Sequence, residues 1–303
     1  MNILMTGGTG LIGRRLCADL LRQGHQLTVL SRQPATVARL CGQGVSAMDS
    51  LDAYTPDRVF DAVINLAGEP IIGARWTAAR KARLRESRIF LTECLVQKMR
   101  EARVKPAVFL SGSAIGVYGD TGADRIDETR AAGGDFGAQL CVDWEAAALS
   151  AARDGIRVVL LRTGVVLDTA GGALTKMLLP FRLGLGGKIG DGQQWMSWIH
   201  YQDYVGLISL LLQDQRISGS VNMVAPGAVT NAEFTQALAA QLHRPALLTT
   251  PAWALKLAMG EMAMLLTGGQ RVLPVRAQRA GFQFMYPKID GALAALLSAA
   301  PDA

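Results

Sequence analysis

The stretch Met5-Thr6-Gly7-Gly8-Thr9-Gly10-Leu11-Ile12-Gly13 limits what this chain can fold into more than any other. It follows Asn2–Thr6, an apolar run with the length of a buried strand, and it opens a helical pattern over Leu11–Gln23. Strand, glycine turn and helix in that order make a βα unit. The spacing is G-x-x-G-x-x-G. Gly7 permits a tight turn, Gly10 lets the backbone approach a pyrophosphate, and Gly13 lets the helix pack closely on the strand. The first turn of the helix, including Leu11 and Ile12, offers free N–H groups and the positive end of a dipole to phosphates. A plain βα turn would also use glycine; the strand–turn–helix context favours nucleotide binding.

Further short β-rich runs recur at Gln26–Leu30, Ala62–Leu66, Ala107–Ser111, Val158–Arg162 and Val221–Val224. Long helical patterns lie between them, over Thr77–Ala102 and Phe136–Asp154. Short buried strands separated by helices predict an α/β fold, a Rossmann-type doubly wound parallel sheet covered on both faces. After Pro226 the pattern turns helical, over Asn231–Leu242, Ala252–Thr267 and Ile289–Ala299, with Pro245, Pro251, Pro274 and Pro287 in the links. The expected division is a nucleotide-binding domain over 1–168, whose sheet also uses about 199–226, and a smaller, mostly helical substrate lobe from 169–198 and 227–303.

The 31 basic residues against 25 acidic leave a formal charge of +6, with no Lys/Arg block, so no nucleic-acid partner is expected. Cys17, Cys41, Cys94 and Cys141 have no metal-type spacing, and His25, His200 and His243 are far apart, so no metal site is expected. No secretory signal or membrane span is read in the chain, and a cytoplasmic protein is expected.

The second strand ends Val29-Leu30-Ser31-Arg32. A fold selecting NAD usually carries an acidic residue there for the ribose 2′-hydroxyl. None occurs between Asp19 and Asp49. Arg32 can pair with a 2′-phosphate and Ser31 can donate to it, which predicts NADP(H) as the cofactor. A solvated Arg at a strand end is the plainer alternative.

Taken together the motifs resemble the short-chain dehydrogenase/reductases of the extended, sugar-nucleotide-epimerase type. They are Thr6–Gly13, Asn65-Leu66-Ala67-Gly68, Ser111-Gly112-Ser113 with Val117-Tyr118-Gly119, Leu161-Arg162-Thr163-Gly164, and Trp198-Ile199-His200 with Asp203. More narrowly the chain is similar to YfcH-like epimerase-family proteins, through Glu69-Pro70, Arg75-Trp76, Asp143-Trp144-Glu145, Pro180–Gly187 and Gly269–Pro274. The resemblance implies that Leu66, Ala67, Gly68 and Glu69 line the adenine and ribose side of the cofactor. Ser111 and Ser113 would face the nicotinamide, and Arg162 and Val165 would lie near its amide. His200 and Asp203 would support the substrate wall, and the helices over 77–102 and 136–154 would form a homodimer.

The superfamily's usual Tyr-x-x-x-Lys pair is missing. The residues four beyond the five tyrosines are Arg58, Gly122, Val205, Ile208 and Asp290. Cys141 and Glu145 stand in the two positions, on one helix face. A glutamate would raise, not lower, a neighbouring thiol's pKa; Glu145 is suited instead to accept hydrogen bonds from ribose hydroxyls. Candidate catalytic residues are therefore Ser113, Tyr118, Cys141 and Glu145, with Glu69 as a further carboxylate and Arg75 and Arg182 as clamps for an anion. Two functions are expected to compete. One is an NADP(H)-dependent oxidoreductase or epimerase acting on a small, nucleotide-linked or phosphorylated substrate. The other is an NADP(H)-binding sensor or scaffold without catalysis.

Overall fold

The computed structural model describes residues 1–298. Ala299, the expected end of the last helix, and the remaining lobe residues to 303 lie outside the described residues. Seven parallel strands form the central sheet: β1 (Asn2–Thr6), β2 (Gln26–Leu30), β3 (Val45–Met48), β4 (Ala62–Asn65), β5 (Val108–Ala114), β6 (Arg157–Thr163) and β7 (Gly219–Met223). Their order is β7-β6-β5-β4-β1-β2-β3. The chain winds outward from β1 through β2 and β3, then crosses to β4 on the other side. Such a reversal opens a crevice beyond the carboxyl ends of β1 and β4. β3 has no counterpart among the apolar runs of the sequence, because Ser46 and Ala47 in its middle are exposed.

Alternation along the strands supplies both faces of the sheet. Ile3, Met5, Ile64, Leu110, Val159 and Leu161 pack against Leu16 and Leu20 of α1 (Leu11–Arg22) and against Tyr204, Ile208 and Leu211 of the Tyr201–Gln213 helix. Leu4, Val63, Phe109, Val158 and Leu160 pack on Leu95, Met99 and Ala148 on the other face.

The pattern over Thr77–Ala102 is not one helix. It forms α2 (Ala78–Arg85), a π-helical turn over Glu86–Phe90, and α3 (Leu91–Glu101). The next helix, α4 (Phe136–Leu149), ends in a 3₁₀ turn over Ser150–Asp154.

The C-terminal lobe packs α5 (Gly172–Arg182), α6 (Asn231–Leu242) and α7 (Ile289–Ser298) around Leu174, Leu178, Phe234, Leu238 and Leu293. Short strand pairs tie it down. Arg271–Val272 runs parallel to Arg125–Ile126, and Leu248–Thr250 to Gly187–Ile189. Two buried carboxylates fasten the late segments to the sheet. Asp203 accepts from the N–H groups of Met285 (2.7 Å) and Tyr286 (3.0 Å). Glu128 accepts from those of Asn222 and Arg276, both at 3.2 Å. Burial raises both carboxyl pKa values, and the main-chain donors offset only part of that rise.

Candidate functional site

The glycine turn is built for a close approach. Gly7 has φ +71°, and a Cβ there would lie 2.6 Å from the Leu66 carbonyl carbon. A Cβ on Gly13 would lie 2.2 Å from the Gly7 oxygen, so α1 packs directly on the turn. No side chain caps α1 at Gly10, and its first turn carries no acidic residue. The N–H groups of a helix start are thus left to a ligand.

A buried hydrogen-bond chain holds the neighbouring strand ends. Thr6 Oγ1 donates to Asn65 Oδ1 (2.6 Å) and accepts from the Ala67 N–H (3.2 Å). Asn65 Nδ2 and Trp144 Nε1 both donate to Thr92 Oγ1, at 2.8 and 3.0 Å. The chain fixes Leu66, Ala67 and Gly68 against α3 and α4. At the end of β2, Ser31 accepts from the Gln33 N–H (3.1 Å), while Arg32 is exposed and has no ion-pair partner among the described residues.

The catalytic candidates meet at the end of β5. Ser113 Oγ donates to Glu145 Oε1 at 2.6 Å. Arg162, from β6, grips the same carboxylate with Nε and Nη2, both at 2.9 Å. Its Nη1 donates to the Tyr118 hydroxyl (3.0 Å), which donates to Asn222 Oδ1 (2.6 Å). Glu145 is therefore occupied by Ser113 and Arg162 and is not held open for ribose hydroxyls. The Tyr118 hydroxyl is likewise turned into the protein. Burial works against the charge of Arg162, but hydrogen bonds and attraction from Glu145 outweigh it and raise its pKa. Burial, then the nearby Glu145, pushes the Cys141 thiol up to about 12, so it stays protonated at neutral pH. Ser111 is fully buried, and its hydroxyl has no partner among the described residues.

Glu69 pairs with Arg80 (3.0 Å), and its main chain accepts from Arg88 (2.9 Å). Arg75 donates to the main-chain oxygens of Leu257 and Ala258, closing the end of the Ala252–Met259 helix. Arg182 is exposed. Val165 pairs with Trp198, and its N–H donates to the Ser197 oxygen (2.9 Å). His200 accepts from the Gln202 N–H (3.1 Å), and its ring lies tilted against that of Tyr286 with ring centres 3.9 Å apart. Burial brings its pKa down to about 4, so the ring is neutral. Sequence reasoning does not single out Thr92, Asn222 or Arg88. No local pattern marks them, since their partners come from distant elements. Among the described residues no group of three His, Cys, Asp or Glu side chains is placed to hold a metal, and no helix is long and apolar enough to cross a membrane.

Comparison with known proteins places this site in context. The model of the "NAD dependent epimerase/dehydratase family" matches residues 3–224, and that of a "domain of unknown function (DUF1731)" matches 250–296. An epimerase family protein of Mycobacterium bovis is 42% identical over 295 residues, 96% of each chain. The mouse epimerase family protein SDR39U1 is 38% identical over 298 residues, 97% of this chain and 98% of its own. The crystal structure of human SDR39U1 (isoform 2) with NADPH superposes with a TM-score of 0.89 at 36% identity, covering 98% of this chain and 99% of that one. A Bacillus cereus UDP-glucuronic acid 4-epimerase, at 17% identity and a TM-score of 0.78 over 97% of each chain, shares the fold.

Proposed function

Because the chain belongs to the NAD dependent epimerase/dehydratase family, we propose that it binds NADP(H) and catalyses a redox or epimerisation step on a small substrate. The cofactor reading rests on the uncapped glycine turn together with the exposed, unpaired Arg32. Leu66, Ala67 and Gly68 flank the turn, and Ser31 lies beside Arg32. The similarity to a protein solved with NADPH supports the same choice.

When bound, NADP(H) supplies the hydride exchange. The chain's own residues handle the proton. The single observation that carries the catalytic reading is the buried Ser113–Glu145–Arg162 relay. A substrate hydroxyl gives its proton to Ser113 Oγ as the Ser113 proton moves to Glu145; the reverse sequence protonates a carbonyl oxygen. Arg162 balances the carboxylate, Tyr118 and Asn222 hold Arg162, and Cys141 packs beside Glu145 as a neutral thiol. The positive charge that a lysine on the helix gives this superfamily thus comes here from a strand, through Arg162. The second reading, a non-catalytic sensor, is favoured by the engaged Tyr118 hydroxyl and the missing Tyr-x-x-x-Lys pair.

Titration of NADPH and NADH into the wild type and Arg32→Ala tests the cofactor. NADPH should bind more tightly, and Arg32→Ala should weaken it about 10- to 100-fold with NADH unchanged. Equal affinities in the wild type would refute the 2′-phosphate contact. Oxidation of NADPH with a carbonyl panel, lost in Ser113→Ala, separates enzyme from sensor. We also infer a homodimer through α3 and α4, near which Phe90 (61%) and Leu149 (43%) are exposed; light scattering should give twice the 32.3 kDa chain mass.

A further inference from the structure

One edge of the C-terminal lobe bears large apolar side chains in the open. Leu179, Leu183 and Leu185 lie on α5 or just beyond it, and Leu247, Trp253 and Leu257 lie in the segment that follows α6. All six are exposed, Leu247, Trp253 and Leu257 to 87%, 70% and 72%. Trp253 and Leu257 are one turn apart on the Ala252–Met259 helix, and Leu179 and Leu183 are one turn apart at the end of α5. The two segments adjoin, because Gly187–Ile189 pairs with Leu248–Thr250. Before that pair, a Cβ on Gly184 would lie 3.9 Å from the Pro245 ring; after it, a Cβ on Gly190 would lie 3.8 Å from that of Ala252. Exposed apolar residues scattered singly over a surface need no explanation, but these stand together on neighbouring elements.

The same two stretches carry charge of one sign. Residues 169–190 and 243–260 contain Lys176, Arg182, Lys188, Arg244 and Lys256, and no Asp or Glu. None of these five cations has an ion-pair partner among the described residues. The nucleotide-binding half is different: Arg22, Arg100, Arg103 and Arg216 each meet an aspartate, at 2.7, 3.0, 2.6 and 2.7 Å. An apolar patch among unpaired cations, with a tryptophan in it, complements a surface that is apolar within and anionic at its boundary. A nucleic acid would meet the cations but leave the leucines in water. A second copy of this chain docked by the same edge would bring the cations against one another.

We propose that this edge of the C-terminal lobe docks on an anionic phospholipid surface. The leucines and Trp253 enter the headgroup layer, and the five cations meet lipid phosphates. The contact lies in the plane of the interface and weakens with salt.

Flotation of the full chain with vesicles is the test. Phosphatidylcholine vesicles containing about one quarter phosphatidylglycerol should bind the wild type, and vesicles of phosphatidylcholine alone should bind it about tenfold more weakly or less. Leu247→Asp made together with Trp253→Asp should weaken binding about tenfold or more, and so should Arg244→Glu with Lys256→Glu. Arg22→Glu with Arg216→Glu changes the net charge equally, from two exposed positions on the nucleotide-binding half, and should leave most of the binding in place. Absence of vesicle binding by the wild type overturns the proposal. So does equal binding to neutral and anionic vesicles, or an equal loss in the Arg22 and Arg216 variant, which would assign the attraction to net charge alone. A smaller solution mass in the Leu247 and Trp253 variant, read by light scattering without lipid, would assign the edge to contact between two copies and overturns the proposal as well. If that variant melts before the flotation, Arg244→Glu with Lys256→Glu decides, and wild-type binding in it overturns the proposal.

Discussion

Replacing Arg162 by Met removes a guanidinium and keeps most of the side chain's bulk. Packing is then nearly conserved, and the change reports on charge. The Arg162 and Glu145 side chains are only 12% and 9% exposed, so water screens their attraction little. Taking one partner from a buried pair costs about 3–5 kcal/mol, because the remaining charge is left without compensation. The bonds to the Tyr118 hydroxyl (3.0 Å) and the Glu128 oxygen (3.3 Å) go as well. Arg162→Met should therefore lose about 4 kcal/mol in equilibrium urea unfolding. Glu145→Leu made together with Arg162→Met should recover half of that or more, since an apolar pair leaves nothing charged behind. Arg216 is the control. It sits 2.7 Å from Asp214, closer than Arg162 to Glu145, but is 84% exposed. Arg216→Met should leave the urea midpoint in place. If Arg162→Met shifts the midpoint no more than Arg216→Met does, the relay is not a buried charge pair and the catalytic reading loses its support.

Three further outcomes are expected. Gly7→Ala should lower both thermal stability and NADPH affinity. Gly24→Ala, at φ +81° with open space around it, carries only the backbone strain; equal losses in the two would refute the close approach of Gly7 to Leu66. Burial brings His200 from 6.5 down to about 4, so the unfolded chain binds more protons between those values. Its contribution to stability is complete above about 6.5 and declines as pH falls towards 4. His200→Asn keeps a cap acceptor and should flatten that part of the melting-temperature profile; an unchanged profile would refute the assignment. Iodoacetamide near neutral pH should label the partly exposed Cys94 before the buried Cys141, as read by peptide mass spectrometry. Early labelling of Cys141 would show that its environment is open.

Much of the fold was legible because it is locally encoded. The glycine spacing needs its strand before and its helix after, and both are there. Six of the seven sheet strands announce themselves as apolar runs, while β3 stays hidden because its middle residues face outward. The missing Tyr-x-x-x-Lys pair is also visible in sequence alone. What replaces it is not. Glu145 and Arg162 are 17 residues apart on a helix and a strand, and only the α4–β6 packing makes them partners. Arg88 was hidden for another reason. Its segment reads as ordinary helix, and no sequence pattern marks the π-helical turn on which it meets the Glu69 oxygen and the Trp144 ring. Arg75 shows the converse, an arginine whose donors are spent on main-chain oxygens at the end of a helix.

The main-chain donors of Asn222, Arg276, Met285 and Tyr286 all end on carboxylates from earlier in the chain. This bears on how the protein is made. During vectorial synthesis Glu128 and Asp203 leave the ribosome long before their partners, and until then they must stay hydrated. The nucleotide-binding half therefore cannot seal itself while the last few dozen residues are still in the exit tunnel. Such a chain has high contact order and a late, concerted closure. A chain cut near residue 226 would keep the glycine turn but leave Asp203 buried without donors, and the Glu128 carboxylate short of one. With two buried carboxylates tied to the late segments, the two lobes are expected to complete folding together.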